Sequence, residues 1–329
     1  MKSIKIAFSD CTPGFDIEDN FLTNTLRQKY EVITTDTPDD DVDVLFYSCF
    51  GFKNKLWSET VLRVYFTGEN DFPNFNECDF AISSYEVGLG KRHLRLPLYA
   101  IWHNFNSLRE NGGICDVANP LERGFCSLVM SNSHTCDPNR LKVIEAIGSY
   151  KKLASGGWFM NNIGRPVENK IEFCKKYKFN LALENSIVPG YVTEKISEAF
   201  TSCSVPIYFG TKDVANDFNP QAFINVCDFE SLEKAVSYIR KVDNDDDLYI
   251  SMLRAPKIQQ NSPYLQWEDR LFDFLCNIVE HGVKYTTQYG YSGVLRQKQF
   301  LKDSFYSHPY FRKMFKFVNR YLETNYMNI

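Results

Sequence analysis

The feature of this sequence that most constrains its fold is a series of apolar, β-branched or aromatic runs that alternate with helical segments. Five runs fall within the first 85 residues, each closed by polar residues or glycine: "IKIAFSD", "YEVITTD", "VDVLFYS", "RVYFTGEN" and "FAISSY". Between the first two, "EDNFLTNTLRQK" places Phe21, Leu22 and Leu26 at helical spacing. Near-continuous apolar strands separated by helices are typical of a parallel, doubly wound sheet.

A second series of the same kind follows a break in composition at residues 107–124, which are rich in glycine, Asn-Pro and mixed charges. Its runs include "FCSLVMSN", "FNLALEN", "VPIYFG" and "FINVCDF". The chain has 329 residues, more than one ordinary core accommodates. We therefore predict an α/β fold with two Rossmann-like domains facing a cleft: an N-terminal domain at 1–116, a C-terminal domain at 117–290, and a basic aromatic tail at 291–329.

Charge and composition argue against several classes of protein. The formal net charge is −4, which disfavours a dedicated nucleic-acid-binding protein. The opening "MKSIKIAFSD" has only a short apolar run, so we expect no cleaved signal, and no stretch reaches the roughly 18 apolar residues of a spanning helix. The ten cysteines form no C-x-x-C pair. We expect them to be reduced and the protein to be cytoplasmic.

The loop "ENSIVPGYVTEK", residues 184–195, carries more polar chemistry than a simple connection needs. It follows the strand-like run "FNLALEN" and precedes a short helix with apolar spacing in "TEKISEAF", so it lies at the carboxyl end of its strand. Thr193 is the predicted N-cap, and Glu194 in the first turn suits the helix dipole. Lys195 is out of place there unless an anion lies beside it, which predicts a phosphate site. The alternative is that Glu194 and Lys195 are solvated first-turn residues.

The region "FNLALENSIVPGYVTEKISEAFTSCSVPIYFG" resembles the signature of the α-1,3/4-fucosyltransferases, glycosyltransferase family 10, and especially its bacterial members. Further matches follow in family order: "YFTGENDFPNFNECDFAIS", "RHLRLPLY", "NPLERGFCSLVMSN", "GGWFMN" and "DFNPQAFINVCDF". The resemblance as a whole runs from about residue 44 to residue 245. The resemblance implies a GT-B fold, GDP-fucose as donor, inversion at the fucose anomeric carbon, and transfer to a GlcNAc hydroxyl of an N-acetyllactosamine-type glycan, which we expect to form an α-1,3 linkage.

The resemblance also implies roles for individual residues. Glu69, in a Gly-Glu-Asn motif after the strand "RVYFTGEN", matches the family's general base, which removes the acceptor proton. Arg140 and Lys195 match phosphate contacts, and Asn185, Tyr191 and Glu194 match positions that contact the donor. The N-terminal domain would then bind the acceptor and the C-terminal domain GDP-fucose. The alternatives are a turn carboxylate at Glu69 and an ordinary surface arginine at Arg140. The "SIVP" of residues 186–189 departs from the polar loop common in relatives.

We predict that no metal and no cofactor besides the donor is required, because two fixed cations can neutralise the pyrophosphate. An Asp-x-Asp at residues 41–43 matches a motif of metal-dependent transferases, but it precedes its strand instead of following one. The acidic run "DNDDD", residues 243–247, is expected to be a solvated loop.

The tail from residue 291 carries seven basic residues against two acidic ones. Within it, "YFRKMFKFVNRYL" sets aromatic and aliphatic residues on one helical face, a pattern typical of helices that lie on anionic membrane surfaces. The alternative is that this helix packs on the acidic body. Bacterial relatives resemble this chain in having a basic C-terminal segment thought to hold them near lipid-linked acceptors. The heptad repeats of some relatives are absent.

Two other functions remain open on the sequence. One is a GT-B transferase that uses another nucleotide sugar. The other is a non-catalytic nucleotide- or glycan-binding module, for which a base at Glu69 would have no use.

Overall fold

The computed structural model describes residues 1–39, 41–110, 112–113, 115, 117–131 and 136–286. The predicted tail, 291–329, lies outside these residues. Within them the chain contains two sheets. Helices separate the strands of the second sheet, as the alternating runs predicted, whereas in the first sheet the one α-helix between described strands is Phe21–Arg27 and the other connections are 3-10 turns or loops.

The first sheet is built from the first series of runs. Its strands and helices are β1 (Lys2–Ser9), α1 (Phe21–Arg27), β2 (Tyr30–Thr35), β3 (Val44–Tyr47), β4 (Leu62–Phe66), β5 (Phe80–Ser83) and β6 (His93–Arg95). The strand order is β2-β1-β3-β4-β5-β6. The strand β1 pairs in parallel with β2 and β3, β3 with β4, and β4 with β5. The apolar runs form strands because their side chains are buried: all four residues of β3 are buried, as are all four of β5.

The second sheet is preceded by α2 (Leu98–Ile101) and α3 (His103–Glu110). Its elements are β7 (Gly124–Leu128), α4 (Asn139–Tyr150), β8 (Ala154–Ser155), α5 (Lys170–Cys174), β9 (Tyr177–Leu183), α6 (Glu194–Thr201), β10 (Val205–Phe209), α7 (Val214–Asp217) and β11 (Ile224–Asn225). The strands are parallel in the order β11-β10-β9-β7-β8. The remaining helices are α8 (Leu232–Asn244), α9 (Asp246–Arg254) and α10 (Trp267–His281). Short 3-10 turns lie at 53–56, 90–92, 120–122, 220–222, 226–228 and 263–266.

Both sheets have the same topology. Numbered from its own first strand, each begins in the order 2-1-3-4-5, the doubly wound order in which the chain changes direction between strands 1 and 3. That change of direction, the switch point, lies between β1 and β3 in the first sheet and between β7 and β9 in the second. The predicted fold class, α/β with two Rossmann-like sheets, is therefore confirmed.

The core of the second sheet consists of strand side chains packed with α4, α8 and α9. Cys126, Phe179 and Ile207 from three neighbouring strands are each at most 1% exposed, and Ile147 of α4 and Ile239 of α8 are fully buried against them. Because this scaffold is close-packed, the loops at its carboxyl edge start from fixed positions.

The chain divides into two compact units that do not follow the two sheets strictly. One unit contains residues 1–67 and 73–82 together with the end of α10 from Phe272. The other contains Gly68–Phe72 and Ser83–Leu271. The segment with Glu69 therefore belongs to the unit of the second sheet, although it follows a strand of the first. The predicted domain bounds, 1–116 and 117–290, stay a prediction.

The expectation of a loop at "DNDDD" is wrong, although residues 244–247 are exposed as predicted. Asp243 and Asn244 end α8, and Asp245 caps α9 by accepting a hydrogen bond from Leu248 N at 3.0 Å. Asp246 and Asp247 occupy the first turn of α9, where the helix dipole favours negative charge. Asp243 is buried and ion-pairs with Lys151 at 2.5 Å. The acidic residues therefore form the end of α8 and the capped first turn of α9.

Candidate functional site

A cavity of about 210 Å³ lies at the switch point of the second sheet. Its walls come from the ends of β7 and β9 and from the first turns of α4, α5 and α6. The lining residues are Leu128, Val129, Met130, Ser131, Arg140, Lys170, Leu181, Leu183, Asn185, Glu194 and Lys195. Switch points at the carboxyl ends of parallel strands are the usual ligand sites of such sheets. The structure thus brings together Arg140, Asn185, Glu194 and Lys195, four of the six residues expected at the site.

Arg140 is a buried cation without a carboxylate partner. Its side chain belongs to the first turn of α4 and is 3% exposed. Nη1 donates to Asn185 Oδ1 at 2.8 Å and Nη2 contacts Met130 Sδ at 2.8 Å, while Nε has no hydrogen-bond partner. Within the described part of the chain, Arg140 makes no ion pair. A buried, unpaired charge is costly to the fold, so a guanidinium held this way is suited to an anion supplied from outside.

Asn185 holds the guanidinium from the end of β9. Its side-chain oxygen accepts from Arg140, and its backbone oxygen accepts from Asp137 N at 2.8 Å, which fixes the turn that leads into α4. Because the oxygen of the amide is occupied, its two N–H donors remain for a ligand. The predicted pair of Arg140 and Asn185 is therefore one hydrogen-bonded group.

The start of α6 is organised by a buried carboxylate that sequence analysis gave no role. Glu184 is fully buried directly after β9. It accepts from Thr193 N at 2.8 Å and from Thr193 Oγ1 at 2.7 Å. Thr193 is the N-cap residue, as predicted, but its side chain makes no capping bond to the helix, because the hydroxyl donates to Glu184 instead. Glu184 therefore fixes the position from which α6 begins.

The anion beside Lys195 in this structure is protein carboxylate. Its Nζ lies 3.4 Å from Glu184 Oε2 and 3.3 Å from Glu194 Oε1, and it donates to Thr193 Oγ1 at 2.8 Å. Burial lowers the pKa of Lys195, but the two carboxylates raise it more, so the net pKa is above its ordinary value. Burial raises the pKa of Glu194, and Lys195 with the backbone N–H of Glu194 outweighs it, so the net pKa is lowered. Both groups stay charged at neutral pH while lining the cavity.

Lys170 is a third cation in the cavity wall, and sequence analysis missed it. It begins α5, and its Nζ donates to Glu198 Oε2 of α6 at 2.5 Å. Glu198 also accepts from Trp102 Nε1 at 3.3 Å. A lysine in the first turn of a second helix at the same sheet edge repeats the signal that identified Lys195. This similarity to Lys195 is the signal by which Lys170 could have been identified from the sequence.

Glu69 and Tyr191 are not among the residues that line the cavity. Glu69 is exposed, three residues beyond the last residue of β4, and Gly68 precedes it at a close approach: a Cβ there would lie 2.8 Å from Leu98 Cδ1. Tyr191 is 1% exposed. Burial raises the pKa of Tyr191, and the charges of Glu184, Glu69 and Glu194 add to the shift, so Glu69 and Glu194 both act on the same phenol.

The Pro-Gly of the loop allows the chain to pass close to a neighbouring backbone. Gly190 has φ of +81°, and a Cβ there would lie 2.5 Å from Ser84 O. The Gly190 carbonyl accepts from Arg95 Nη2 at 3.0 Å, and Arg95 is held by a buried ion pair with Asp217 at 2.9 Å. The bonds between Glu184 and Thr193 therefore join the two ends of the loop, and Arg95 holds it near its middle.

Among the described residues no group of three or more His, Cys, Asp or Glu side chains is arranged to hold a metal ion. The Asp-x-Asp at residues 41–43 precedes β3, as predicted. The metal-independence of the protein stays a prediction. No helix in the described ranges has the length and apolar character needed to span a bilayer.

Comparisons with known proteins agree with this architecture. The family "Glycosyltransferase family 10 (fucosyltransferase) C-term" matches residues 122–295, and "Alpha-(1,3)-fucosyltransferase FucT N-terminal domain" matches residues 6–102. The chain is 36% identical to alpha-(1,3)-fucosyltransferase FucT of Helicobacter pylori, covering 72% of this chain and 56% of that protein. It therefore spans about half the length of this curated relative.

Two solved structures are also similar. A crystal structure of an alpha1,3-fucosyltransferase superposes with a TM-score of 0.76 at 30% identity, covering 86% of this chain and 92% of the other. A crystal structure of alpha1,3-fucosyltransferase with GDP-fucose gives a TM-score of 0.72 at 30% identity with the same coverage. With one family description spanning more than half of the sequence and the predicted signature loop at the switch point, the chain belongs to glycosyltransferase family 10, the fucosyltransferase family.

Proposed function

We propose that this protein is an inverting, metal-independent α-1,3-fucosyltransferase that transfers L-fucose from GDP-fucose to the GlcNAc hydroxyl of a lactosamine-type glycan. The observation that carries the proposal is the buried guanidinium of Arg140, which has no carboxylate partner within the described residues and faces a switch-point cavity with Lys195 and Lys170. A diphosphate supplies the negative charge that Arg140 lacks, whereas Lys195 and Lys170 already lie beside carboxylates.

The cavity suits the departure of a nucleoside diphosphate. As the bond between fucose C1 and the phosphate oxygen breaks, negative charge grows on GDP, and fixed cations in a water-poor site stabilise that charge. Arg140 and Lys195 are the residues we assign to the phosphates. The free amide N–H groups of Asn185 extend the same donor set. Because these cations are fixed by the protein, no divalent ion is needed to neutralise the leaving group.

Glu69 is the residue we assign as general base. It is exposed beyond the carboxyl end of β4, and its charge acts on Tyr191, as does that of Glu194 of the cavity wall. In a single in-line displacement, the carboxylate accepts the acceptor's hydroxyl proton while the oxygen attacks C1 from the face opposite to GDP, which inverts the anomeric centre. Tyr191 and Glu194 are assigned to hydroxyl groups of the donor.

The family and the relatives' names support fucose and the α-1,3 linkage in preference to the alternatives. A transferase for another nucleotide sugar would use the same switch point, and competition between GDP and UDP for binding separates the two. A non-catalytic binding module would also keep the cavity, and the dependence of turnover on Glu69 separates it from an enzyme.

The direct test is incubation of the protein with GDP-fucose and a panel of GlcNAc-terminated and lactosamine acceptors, with and without EDTA. We expect a fucosylated lactosamine product, the same yield with EDTA, and an α-1,3 linkage by product analysis. Transfer only from another nucleotide sugar, or activity lost with EDTA and restored by Mn²⁺, would contradict the proposal.

A matched pair of variants tests the base. Glu69→Gln keeps the size of the side chain and should lower kcat by about 10²- to 10⁴-fold while GDP still binds. Glu122→Gln changes another exposed carboxylate, in the turn before β7, and should leave kcat within about twofold of the wild type. Equal turnover in the two variants would remove Glu69 from the mechanism.

We also propose that the protein is cytoplasmic and attaches peripherally to anionic membrane through residues 291–329. The charge of that segment supports the proposal. At low salt the full chain should partition onto vesicles containing anionic lipid, and a chain truncated after residue 290 should not. Equal partitioning of the two would contradict membrane attachment through this segment.

A further inference from the structure

Two cysteines that are far apart in the sequence meet beyond the carboxyl end of α6. Cys115 lies in the segment between α3 and β7, and Cys203 is the second residue after α6. The carbonyl oxygen of Phe200 accepts from both, from Cys203 N at 2.8 Å and from Cys115 Sγ at 3.8 Å. The two side chains also share a hydrogen bond. Both are half-buried free thiols, and neither has a role in the reaction described above.

The backbone of Cys203 has a conformation that disfavours most side chains. The residue follows the helix C-cap, Ser202, and has φ of +52°. Glycine or asparagine usually ends a helix in this left-handed conformation, because a Cβ is strained there. Other residues held in this region are concentrated at functional sites. The strained backbone therefore points to a use of the Cys203 side chain.

A buried cation lies close to the two thiols. Lys257 is 1% exposed, and its Nζ donates to the carbonyl oxygens of Met252 and Leu253 at 3.2 and 2.6 Å. No carboxylate of the described residues pairs with it. Burial lowers the pKa of Lys257, and the charges of Cys115 and Cys203 act in the opposite direction. A thiolate in this pair balances part of the buried positive charge.

The contacts of Lys257 place it against the segments that carry both thiols. A Cβ added at Gly113 would lie 2.3 Å from Lys257 Cγ, so the stem of the lysine packs on the chain two residues before Cys115. Its Nζ lies 5.6 Å from the centre of the Phe200 ring, and the carbonyl of Phe200 is the one that holds both cysteines. The lysine and the two thiols therefore form one cluster.

This environment favours a thiolate at one cysteine and a neutral thiol at the other. The hydrogen bond with Cys115 lowers the pKa of Cys203, and the charges of Arg123 and Lys257 lower it further against the opposing effect of burial. Arg123 Nη2 also donates to the Cys203 carbonyl oxygen at 2.7 Å. The same hydrogen bond, with burial, raises the pKa of Cys115. Because the thiolate is the nucleophilic form, Cys203 is the reactive partner.

We propose that Cys115 and Cys203 form a redox-active pair that hydrogen peroxide converts to a disulfide. The Cys203 thiolate attacks one oxygen of the peroxide, so an S–O bond forms, the O–O bond breaks and hydroxide leaves to become water. The sulfur of Cys115 then attacks the sulfur of this sulfenic acid. An S–S bond forms, the S–O bond breaks, and hydroxide leaves as water with the proton of Cys115. The two sulfur atoms together lose two electrons, which the peroxide gains.

The disulfide joins the end of α6 to the segment that leads into β7, and a thiol reductant reverses it. It lies at the opposite end of α6 from Lys195 of the phosphate cavity. Neither cysteine lines that cavity. The inference therefore goes beyond the proposed function and does not depend on it.

The experiment treats the intact chain with hydrogen peroxide and maps the products by mass spectrometry without reduction. Trypsin releases the two cysteines on separate peptides, residues 110–123 and 196–212, and neither peptide contains a second cysteine. Wild type should give these two peptides joined, and dithiothreitol should separate them. Cys115→Ser should stop at the sulfenic acid, so dimedone should label Cys203 at least about fivefold more than any other cysteine. Cys203→Ser should give neither product.

Cys227→Ser is the matched control. Cys227 is another half-buried cysteine of the same sheet, and burial raises its pKa. Because a neutral thiol reacts slowly, its loss should leave the rate of disulfide formation within about twofold of the wild type.

Three results would overturn the proposal. In the first, peroxide leaves residues 115 and 203 reduced while it oxidises other cysteines. In the second, either cysteine pairs with a different partner. In the third, Cys203 of the wild type proceeds to sulfinic acid without forming a disulfide. None of these results affects the proposed function, because transfer from GDP-fucose is measured in reducing buffer.

Discussion

The two sheets share one strand order, yet their switch points are used in opposite ways. In the first sheet, Asp10 follows β1 with φ of +54°, and its carboxylate accepts from Lys53 N at 2.8 Å and from Asn54 N at 2.7 Å. In the second, Arg140 is buried beyond β7, no carboxylate of the described residues pairs with it, and its Nε has no hydrogen-bond partner. At the first switch point the charged side chain, Asp10, is used to hold a neighbouring loop. At the second, the charged side chain, Arg140, has no carboxylate partner among the described residues.

The difference shows that topology alone does not locate a ligand site. A doubly wound sheet offers a crevice at each switch point, but an ion binds only where charged groups remain unsatisfied by the fold. The hydrogen bonds of Asp10 hold the loop at residues 50–54, so we interpret the first switch point as structural. The second keeps an unpaired cation, and it is there that we place the nucleotide.

The largest effect should come from removing the unpaired cation. Arg140→Gln should lower kcat/KM for the donor by about 10²-fold or more, because a buried charge contact to phosphate is lost. The free energy of unfolding of the ligand-free protein should change by less than about 1 kcal/mol, because the lost hydrogen bonds are offset by removal of a buried unpaired charge. Steady-state kinetics and urea denaturation measure the two. Strong destabilisation with unchanged kinetics would make Arg140 a structural residue.

As the pH falls from neutrality, the first loss of stability should come from His93 of β6 in the first sheet, since the lowered pKa of the cavity carboxylate Glu194 contributes at lower pH. Burial, aided by the charge of Arg95, lowers the pKa of His93 to about 4, and the ring is hydrogen-bonded with Ser83 Oγ at 2.9 Å. A lowered pKa means that the neutral form stabilises the fold. This contribution is complete above pH ~6.5 and is lost as the pH falls towards 4, a change of roughly 3 kcal/mol.

His93→Gln tests that assignment, because glutamine retains a hydrogen bond to Ser83 without titrating. The free energy of unfolding, measured by urea denaturation at each pH, should fall less steeply between pH 6.5 and 4 in the variant. The matched control is His281→Gln, an exposed histidine at the end of α10. An unchanged acid slope in His93→Gln would remove His93 as its source.

Asp10→Ala tests the structural switch point. It removes two charge-assisted bonds to backbone N–H groups and one to Asn54 Nδ2, so the free energy of unfolding should fall by about 2–3 kcal/mol. GDP affinity by calorimetry should stay within about twofold of the wild type. A selective loss of GDP binding in a stable Asp10→Ala protein would reverse the comparison.

The smallest effect is expected at the third cation. Lys170→Met should weaken GDP binding by only about three- to tenfold, because Lys170 already pairs with Glu198 and gives up part of that pairing to bind phosphate. Calorimetry with pyrophosphate gives the same comparison without the base. A loss as large as that of Arg140→Gln would mean that the ion pair with Glu198 does not persist when nucleotide binds.

Much of this arrangement followed from the sequence because it depends on local signals. The strands were legible as apolar runs, and the loop of residues 184–195 was placed correctly between β9 and α6. Parallel topology then brought Arg140 and Lys195 to one edge. The sequence did not predict which side chains, distant along the chain, contact each other in the folded protein. The partners of Lys195, the burial of Tyr191 and the absence of a carboxylate near Arg140 depend on which side chains meet after folding.

The same limit explains the error at residues 243–247. A run of acidic residues indicates solvation when only its charge is considered. Here Asp245 caps a helix and Asp243 is paired with Lys151, and both features depend on where α8 ends relative to α4. Lys170 was missed for the same reason, because its place in the cavity depends on the position of α5 beside β7 and α6.

The most direct measurement is a crystal structure of the protein with GDP. The diphosphate should lie beyond β7 and β9, with phosphate oxygens within hydrogen-bonding distance of Arg140 Nε and Lys195 Nζ. A diphosphate bound beyond β1 and β3, or at a position where Arg140 keeps its bonds to Asn185 and Met130 and Nε remains without a partner, would contradict the account.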